Sequence, residues 1–97
     1  RHEYALSADV DGELVNIIID RTFVEGSDRW IIDYKTSVPG AMDRQDFYRQ
    51  QADMYAPQLQ RYAQLMGRLD PHHSCRCALY FPACDGWYEL DISGGEQ

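Results

Sequence analysis

Asp20, Asp33 and Lys35 are the residues whose types and spacing point to chemistry in this 97-residue chain. Asp20 ends the apolar run Ile17-Ile18-Ile19, and Asp33 and Lys35 flank Tyr34 in the segment from Trp30 to Thr36. Between them, Gly26-Ser27 reads as a two-residue hairpin loop, which pairs Glu25 with Asp28 and gives every cross-strand pair the same sum. Asp20 then faces Asp33, and Lys35 joins their side of the strand by alternation. Facing residues hold their Cβ atoms about 4.5–5.5 Å apart, and like charges set opposite one another destabilise a sheet unless something neutralises them. A hard divalent cation such as Mg2+ or Mn2+, which takes oxygen ligands, would do so. The metal would acidify a bound water and offset charge on an attacked phosphate, while the ammonium positions the water or stabilises the pentavalent phosphorus. That chemistry is phosphodiester hydrolysis. The plain alternative is that Asp20 pairs with Arg21 or Lys35 as a surface ion pair on a solvated strand face.

These side chains need a sheet to hold them. From Tyr4 to Val38 the chain is rich in β-branched and aromatic residues, with turn signals at Asp11-Gly12 and Gly26-Ser27. The pattern predicts a three-stranded antiparallel meander, roughly Tyr4 to Val10, Glu13 to Glu25 and Asp28 to Ser37. The same register sets Phe23 against Trp30, Arg21 against Ile32 and Ile19 against Tyr34, a face expected to pack on the core. Pro39-Gly40 ends this segment. From about Asp43 to Gly67, Tyr48, Ala52, Tyr55, Leu59, Tyr62 and Met66 recur at alternating spacings of four and three, one apolar helical stripe. Pro57 interrupts it and leaves open a kinked helix or a second helix start near Ala56. Cys75 to Phe81 reads as a buried strand, Trp87 to Ile92 as a shorter one after Asp85-Gly86, and Ser93 to Gln97 as a frayed tail.

Composition bounds the answer. At 44% hydrophobic and 26% charged residues, the chain fits one small domain or a piece of a larger one. A formal charge of -7 argues against a broad basic surface for nucleic acid, yet suits a carboxylate metal site. Three cysteines, Cys75, Cys77 and Cys84, make no disulfide framework, and no apolar run is long enough to cross a bilayer. The expectation is a soluble piece of an intracellular protein. His72, His73, Cys75 and Cys77 invite zinc, but Cys-x-Cys fits zinc-site spacing poorly, and Cys75, Cys77, Leu79 and Phe81 alternate onto one strand face as small apolar residues do. Asp9, Asp11 and Glu13 lack the loop of a calcium site and read as a solvated hairpin.

Ile17-Ile18-Ile19-Asp20-Arg21 followed by Trp30-Ile31-Ile32-Asp33-Tyr34-Lys35-Thr36 resembles the paired motifs of the RecB-like branch of the PD-(D/E)XK nucleases. A third motif of that family, glutamine and then tyrosine four residues on along a helix, is matched by Gln58 and Tyr62. Gln51 and Tyr55 share the spacing seven residues earlier without the Gln-Leu dipeptide. The likeness runs from about Glu3 to Ile92, and is nearest to nuclease domains at the C-terminus of UvrD/Rep-type DNA helicases. In two respects the chain departs from the pattern: Ile17 stands where members often have glycine, and the upstream helix that completes the metal site is absent, with His2 and Glu3 no substitute. An iron–sulfur cluster of the kind some relatives carry would need a fourth cysteine.

The resemblance implies an α/β fragment of the restriction-endonuclease-like fold, with the meander, a helical crossover and returning strands, occupying residues 1–97 as a partial nuclease domain. It implies Mg2+-dependent (or Mn2+-dependent) DNA cleavage, exonucleolytic and coupled to an ATP-driven helicase motor in recombination and repair. Asp20 and Asp33 would be metal ligands, with the main-chain carbonyl of Tyr34 as a further one, Lys35 the catalytic lysine, and Gln58 and Tyr62 site-organising residues. Partners would be DNA, the rest of the helicase chain and a nuclease or helicase subunit, at the nucleoid in bacterial cytoplasm. The fragment alone would cut poorly. A non-catalytic module that grips DNA or a subunit is the other reading; the retained Asp, Asp and Lys argue against it.

Overall fold

Two tight turns organise the first third of the chain. Asp11 and Gly12 both adopt positive φ, 53° and 84°, the backbone pair that closes a two-residue hairpin with the twist of its strands. They join β1 (Tyr4–Val10) to β2 (Glu13–Ile19). Gly26, at φ 61°, opens the loop between β3 (Arg21–Glu25) and β4 (Asp28–Tyr34). The computed structural model describes residues 3–92, so the tail expected from Ser93 to Gln97 lies outside the described residues, as does His2. The chain continues through α1 (Arg44–Leu69), β5 (Ser74–Phe81), a 3-10 turn (Pro82–Cys84) and β6 (Gly86–Leu90). It is a mixed α/β structure with one helix among the described residues.

The predicted meander is not what forms. The strand expected to run unbroken from Glu13 to Glu25 bends at Asp20, and its two parts join different sheets: β1-β2, and β3-β4-β5-β6. Two observations account for the break. Asp20 Oδ2 accepts the Tyr34 N–H at 2.9 Å, so a side chain takes the place in the ladder that a main-chain carbonyl would hold. The preceding Ile17 and Ile19, 6% and 1% exposed, are drawn into the core beside the helix. Ile19 therefore pairs with Tyr4 and not with Tyr34. The rest of the expected register holds, with Phe23 opposite Trp30 and Arg21 opposite Ile32.

After β4 the chain crosses over through α1 and returns as β5, parallel to β4, before β6 closes the sheet antiparallel. Asp43 caps the helix by accepting the N–H groups of Gln45 and Asp46, satisfying two of the donors that a helix start leaves bare. Pro57 neither ends the helix nor restarts it: α1 is continuous for 26 residues. Proline removes the hydrogen bond to the carbonyl four residues back. Pro57 and Asp53 both stand on the exposed side, where water can serve that carbonyl.

The core also lies on the other face from the one expected. Ile31, Cys77, Leu79 and Phe81 point toward α1 and pack with Leu59, Leu65, Met66, Phe47 and Tyr48. The Trp30 face is a smaller cluster, with Ile32 and Ala78 beneath Phe23, Tyr34 and Tyr80. The amphipathic stripe of α1 decides this, because its apolar side chains need the sheet face that carries Ile31 and Leu79. Each such side chain contributes up to about 1.5–3 kcal/mol by leaving water. The cysteines alternate onto the core face as expected. Cys77 is fully buried, which pushes its thiol up to about 12, and it donates to the Leu59 carbonyl as Cys75 does to that of Ala63. His73 Nδ1 is 2.8 Å from Asp70 Oδ1, and Arg29 binds the same carboxylate.

Gly86 opens β6 where the ring of Tyr48 crosses the strand, and a Cβ there would run into the tyrosine hydroxyl and ring. Gly86→Ala should cost about 1–3 kcal/mol, the range for overfilling a packed site, seen as an earlier midpoint in urea unfolding. Tyr48→Phe should rescue it only in part, because ring carbons as well as the hydroxyl occupy the space.

Candidate metal centre

β4 carries the site at its C-terminal end. Strand alternation places Ile31, Asp33 and Lys35 on the helix side, and the burial of Ile31 in the helix-facing core fixes that side. Lys35 Nζ lies 3.1 Å from Asp33 Oδ2, and the two side chains are 17% and 12% exposed. The contact is within ion-pair range but is not aligned as a hydrogen bond, so Asp33 Oδ2 is a buried oxygen without a hydrogen-bond partner. Lys35 Nζ also sits 3.4 Å from the centroid of the Tyr55 ring. A cation held over an aromatic face is stabilised by about 0.5–2 kcal/mol, and here the ring fixes where the ammonium points.

Asp20 completes the group. The pairing of β3 with β4 stops at Arg21 and Ile32, so Asp20 stands one step beyond the ladder, opposite Asp33, as the turn arithmetic requires. The two carboxyl groups interact directly. Burial pushes the Asp33 carboxyl above the ordinary carboxylate range, the neighbouring Asp20 pushes it the same way, and Lys35 offsets this only in part. The site therefore holds two acids and one base. An acid raised by a second acid marks a place short of positive charge.

The fit of a divalent ion follows from these features. Mg2+ is commonly held by one or two carboxylates, with water and substrate phosphate filling the remaining positions. Asp20 and Asp33 supply two carboxylates; Asp33 Oδ2 is buried and accepts no aligned hydrogen bond, although the Lys35 ammonium 3.1 Å away competes for it. Among the described residues no group of three or more His, Cys, Asp or Glu gathers. The Lys35 N–H bonds the Tyr80 carbonyl on the β5 side at 2.8 Å. Main-chain groups alternate along a strand, so the carbonyl of Tyr34 points toward Asp20, the direction its own N–H takes. It lies on the correct edge to be a third oxygen ligand.

The helix brings up a different glutamine and tyrosine from the pair singled out in the sequence. Gln58 Nε2 donates to Tyr62 Oη at 3.0 Å, and Gln58 is exposed. Gln51, 9% exposed, instead accepts the Ser37 hydroxyl at 3.3 Å in the loop after Lys35, while Tyr55 lies under the lysine itself. α1 starts beside the end of β5, where Phe47 packs on Phe81, and reaches Lys35 at Tyr55. Tyr62, seven residues further along, stands about 10 Å beyond that point at 1.5 Å per residue. Tyr55→Leu should free the ammonium, and Tyr55→Phe should keep it in place. The position of the Lys35 ε-methylene resonances, shifted upfield by the ring in wild type, would report the difference.

No helix among the described residues is long and apolar enough to cross a membrane. No protein-family model matches the chain, and no curated protein does.

Proposed function

We propose that this chain is the metal-binding part of a Mg2+-dependent DNA nuclease of the RecB-like PD-(D/E)XK kind, built on a restriction-endonuclease-like scaffold. The observation that carries the proposal is the buried carboxyl of Asp33, whose Oδ2 accepts no aligned hydrogen bond, set beside Asp20 and 3.1 Å from the Lys35 ammonium. An ordinary surface ion pair would be solvated and would not raise an acid. A bound Mg2+ or Mn2+ would acidify a water and draw charge from a phosphate.

The chain's own residues have separate parts in this reading. Asp20 and Asp33 hold the cation, with the Tyr34 carbonyl beside them. Lys35, steadied by Tyr55, faces the phosphate oxygens and the attacking water. Gln51 holds the loop at Ser37 and so fixes the direction in which the chain leaves the lysine. Gln58 and Tyr62 bond one another three and seven residues beyond Tyr55, so any part they take would be in contacts to DNA along the helix. In the wider setting, an ATP-driven helicase chain would feed DNA to the site during recombination or repair in bacterial cytoplasm, with a second nuclease or helicase subunit as partner. The test is degradation of end-labelled DNA with Mg2+ and with chelator. Loss of label that needs Mg2+ and Asp33 supports the reading, and degradation indifferent to both removes it.

A further inference from the structure

α1 and the β1-β2 hairpin enclose a groove of about 390 Å3. Pro57, Arg61, Gln64 and Arg68 recur at spacings of four and three, one stripe along its helix wall. Val10 and Val15 belong to the hairpin wall, and buried Leu65 adds apolar surface. In a chain of net charge -7, this groove carries two arginines and, among the described residues, no acidic lining. Arg61 and Arg68 are exposed, and neither makes an ion pair among the described residues. Arg68 reaches only the Asp9 carbonyl, at 3.4 Å.

The two valines of the groove also bracket the hairpin tip. Between them lie Asp11, Gly12, Glu13 and Leu14, and Asp9 pairs with Leu14. All five are exposed, Leu14 at 70%, more than any other large apolar side chain described. The carboxylates of Asp9, Asp11 and Glu13 make no ion pair among the described residues. The tip is therefore acidic and apolar where the groove is basic and apolar. It cannot fill the groove of its own chain. With Asp11 and Gly12 both at positive φ, the two-residue turn keeps β1 and β2 paired up to Val10 and Glu13. The tip continues the line of the hairpin wall and does not fold back across it.

We infer that this face is an interface between two copies of the chain, in which the hairpin tip of each enters the groove of the other. Because tip and groove adjoin, a two-fold axis beside Val10 and Val15 makes both contacts at once, the self-complementary arrangement of a closed dimer. Asp9, Asp11 and Glu13 of one copy meet Arg61 and Arg68 of the other, and Leu14 covers Val15 and Leu65. No tip and no groove is left over, so assembly stops at two. Ion pairs at a solvated rim contribute little singly, which sets the dissociation constant on the order of 100 µM at low salt. Added salt screens the pairs and weakens the dimer. None of this involves Asp20, Asp33 or Lys35, so the dimer stands or falls apart from the metal centre.

The experiment is sedimentation equilibrium of the chain at low salt and in chelator, over concentrations on both sides of that constant. Wild type should move from the mass of one chain to that of two and go no further. Leu14→Ser should weaken the dimer roughly tenfold, the loss of one apolar anchor. Arg61→Glu with Arg68→Glu sets like charges against the tip and should weaken it about a hundredfold or more. Asp9→Lys with Glu13→Lys should do the same from the other side; Asp11 is left in place because it holds a positive φ in the turn. Mixed in equal amounts, the two reversed chains should recover a dimer as tight as wild type, since each basic or acidic surface again meets its opposite. That recovery also shows that both variants are folded. Wild type that stays monomeric overturns the inference and leaves the groove to an acidic segment of another protein. A dimer indifferent to both charge reversals, reversed chains that fail to pair when mixed, or growth beyond two chains overturns it as well.

Discussion

Asp20→Asn is expected to make the metal-free chain more stable and, at the same time, blind to Mg2+. The asparagine keeps an oxygen for the Tyr34 N–H that Asp20 Oδ2 now accepts, so the bend between β2 and β3 survives. What disappears is the like charge beside Asp33. Opposed like charges in a sheet cost roughly 0.2–1 kcal/mol, which at the entropy of a domain this size is a few degrees in Tm. Wild type should gain much more from the metal. A cation that binds only the folded state at 100 times its Kd adds about 2.7 kcal/mol, or about 10–20 °C at roughly 4–8 °C per kcal/mol. The variant should show none of that gain in a melting experiment. A variant less stable than wild type without metal, or equally stabilised by Mg2+, would remove the shared site.

The pH dependence has a definite sign. Burial and Asp20 raise the folded-state pKa of Asp33 above its unfolded value, so the folded chain holds the proton more tightly than the unfolded one. The resulting stability is fully present below the ordinary carboxylate pKa and is lost as pH rises through the raised one. Wild type and Asp20→Asn should therefore melt together in acid, and separate as Asp33 ionises. Asp70 behaves oppositely: His73 first, and then Arg29, hold its carboxyl below the ordinary value, so its contribution is lost as the solution is acidified.

Lys35→Ala has the largest expected effect on activity. Removing a charge that meets the transition state costs about 100-fold to 1000-fold in turnover, and DNA degradation should fall by that factor while Mg2+ binding is kept or strengthened. Retention follows from electrostatics, because the ammonium competes with the cation for Asp33 Oδ2, 3.1 Å away. The metal-free variant should also lose about 1–3 kcal/mol of stability, since a mostly buried carboxylate loses the group that offsets its charge. Lys35→Arg should not restore activity, because a planar guanidinium cannot occupy the space over the Tyr55 ring in the same way. Unchanged degradation in Lys35→Ala would separate the lysine from the chemistry.

Much of this arrangement was legible in the residues. Gly26-Ser27 set the β3-β4 register, and with it the approach of Asp20 to Asp33. The helical stripe from Tyr48 to Met66 gave the helix, and the alternation from Cys75 to Phe81 gave the core side of β5. Three features were not legible. Period-two patterning runs straight through Asp20, and only the competition between its side chain and a main-chain carbonyl for the Tyr34 N–H splits the strand. A hairpin considered alone has no helix to choose between its faces, and the Trp30 side is the more aromatic one, so the core face depends on α1. The nearness of Tyr55 to Lys35 depends on where α1 crosses the end of β4, which spacing within the helix does not carry.

Whether the Asp20 and Asp33 carboxylates share one divalent cation is decided by NMR, with paramagnetic Mn2+ titrated into the isotope-labelled chain. The resonances of Asp20, Asp33 and Tyr34 should broaden first, at substoichiometric Mn2+, and excess Mg2+ should restore them. Broadening centred on the acidic hairpin tip of Asp9, Asp11 and Glu13, with Asp33 unaffected, would contradict a shared cation.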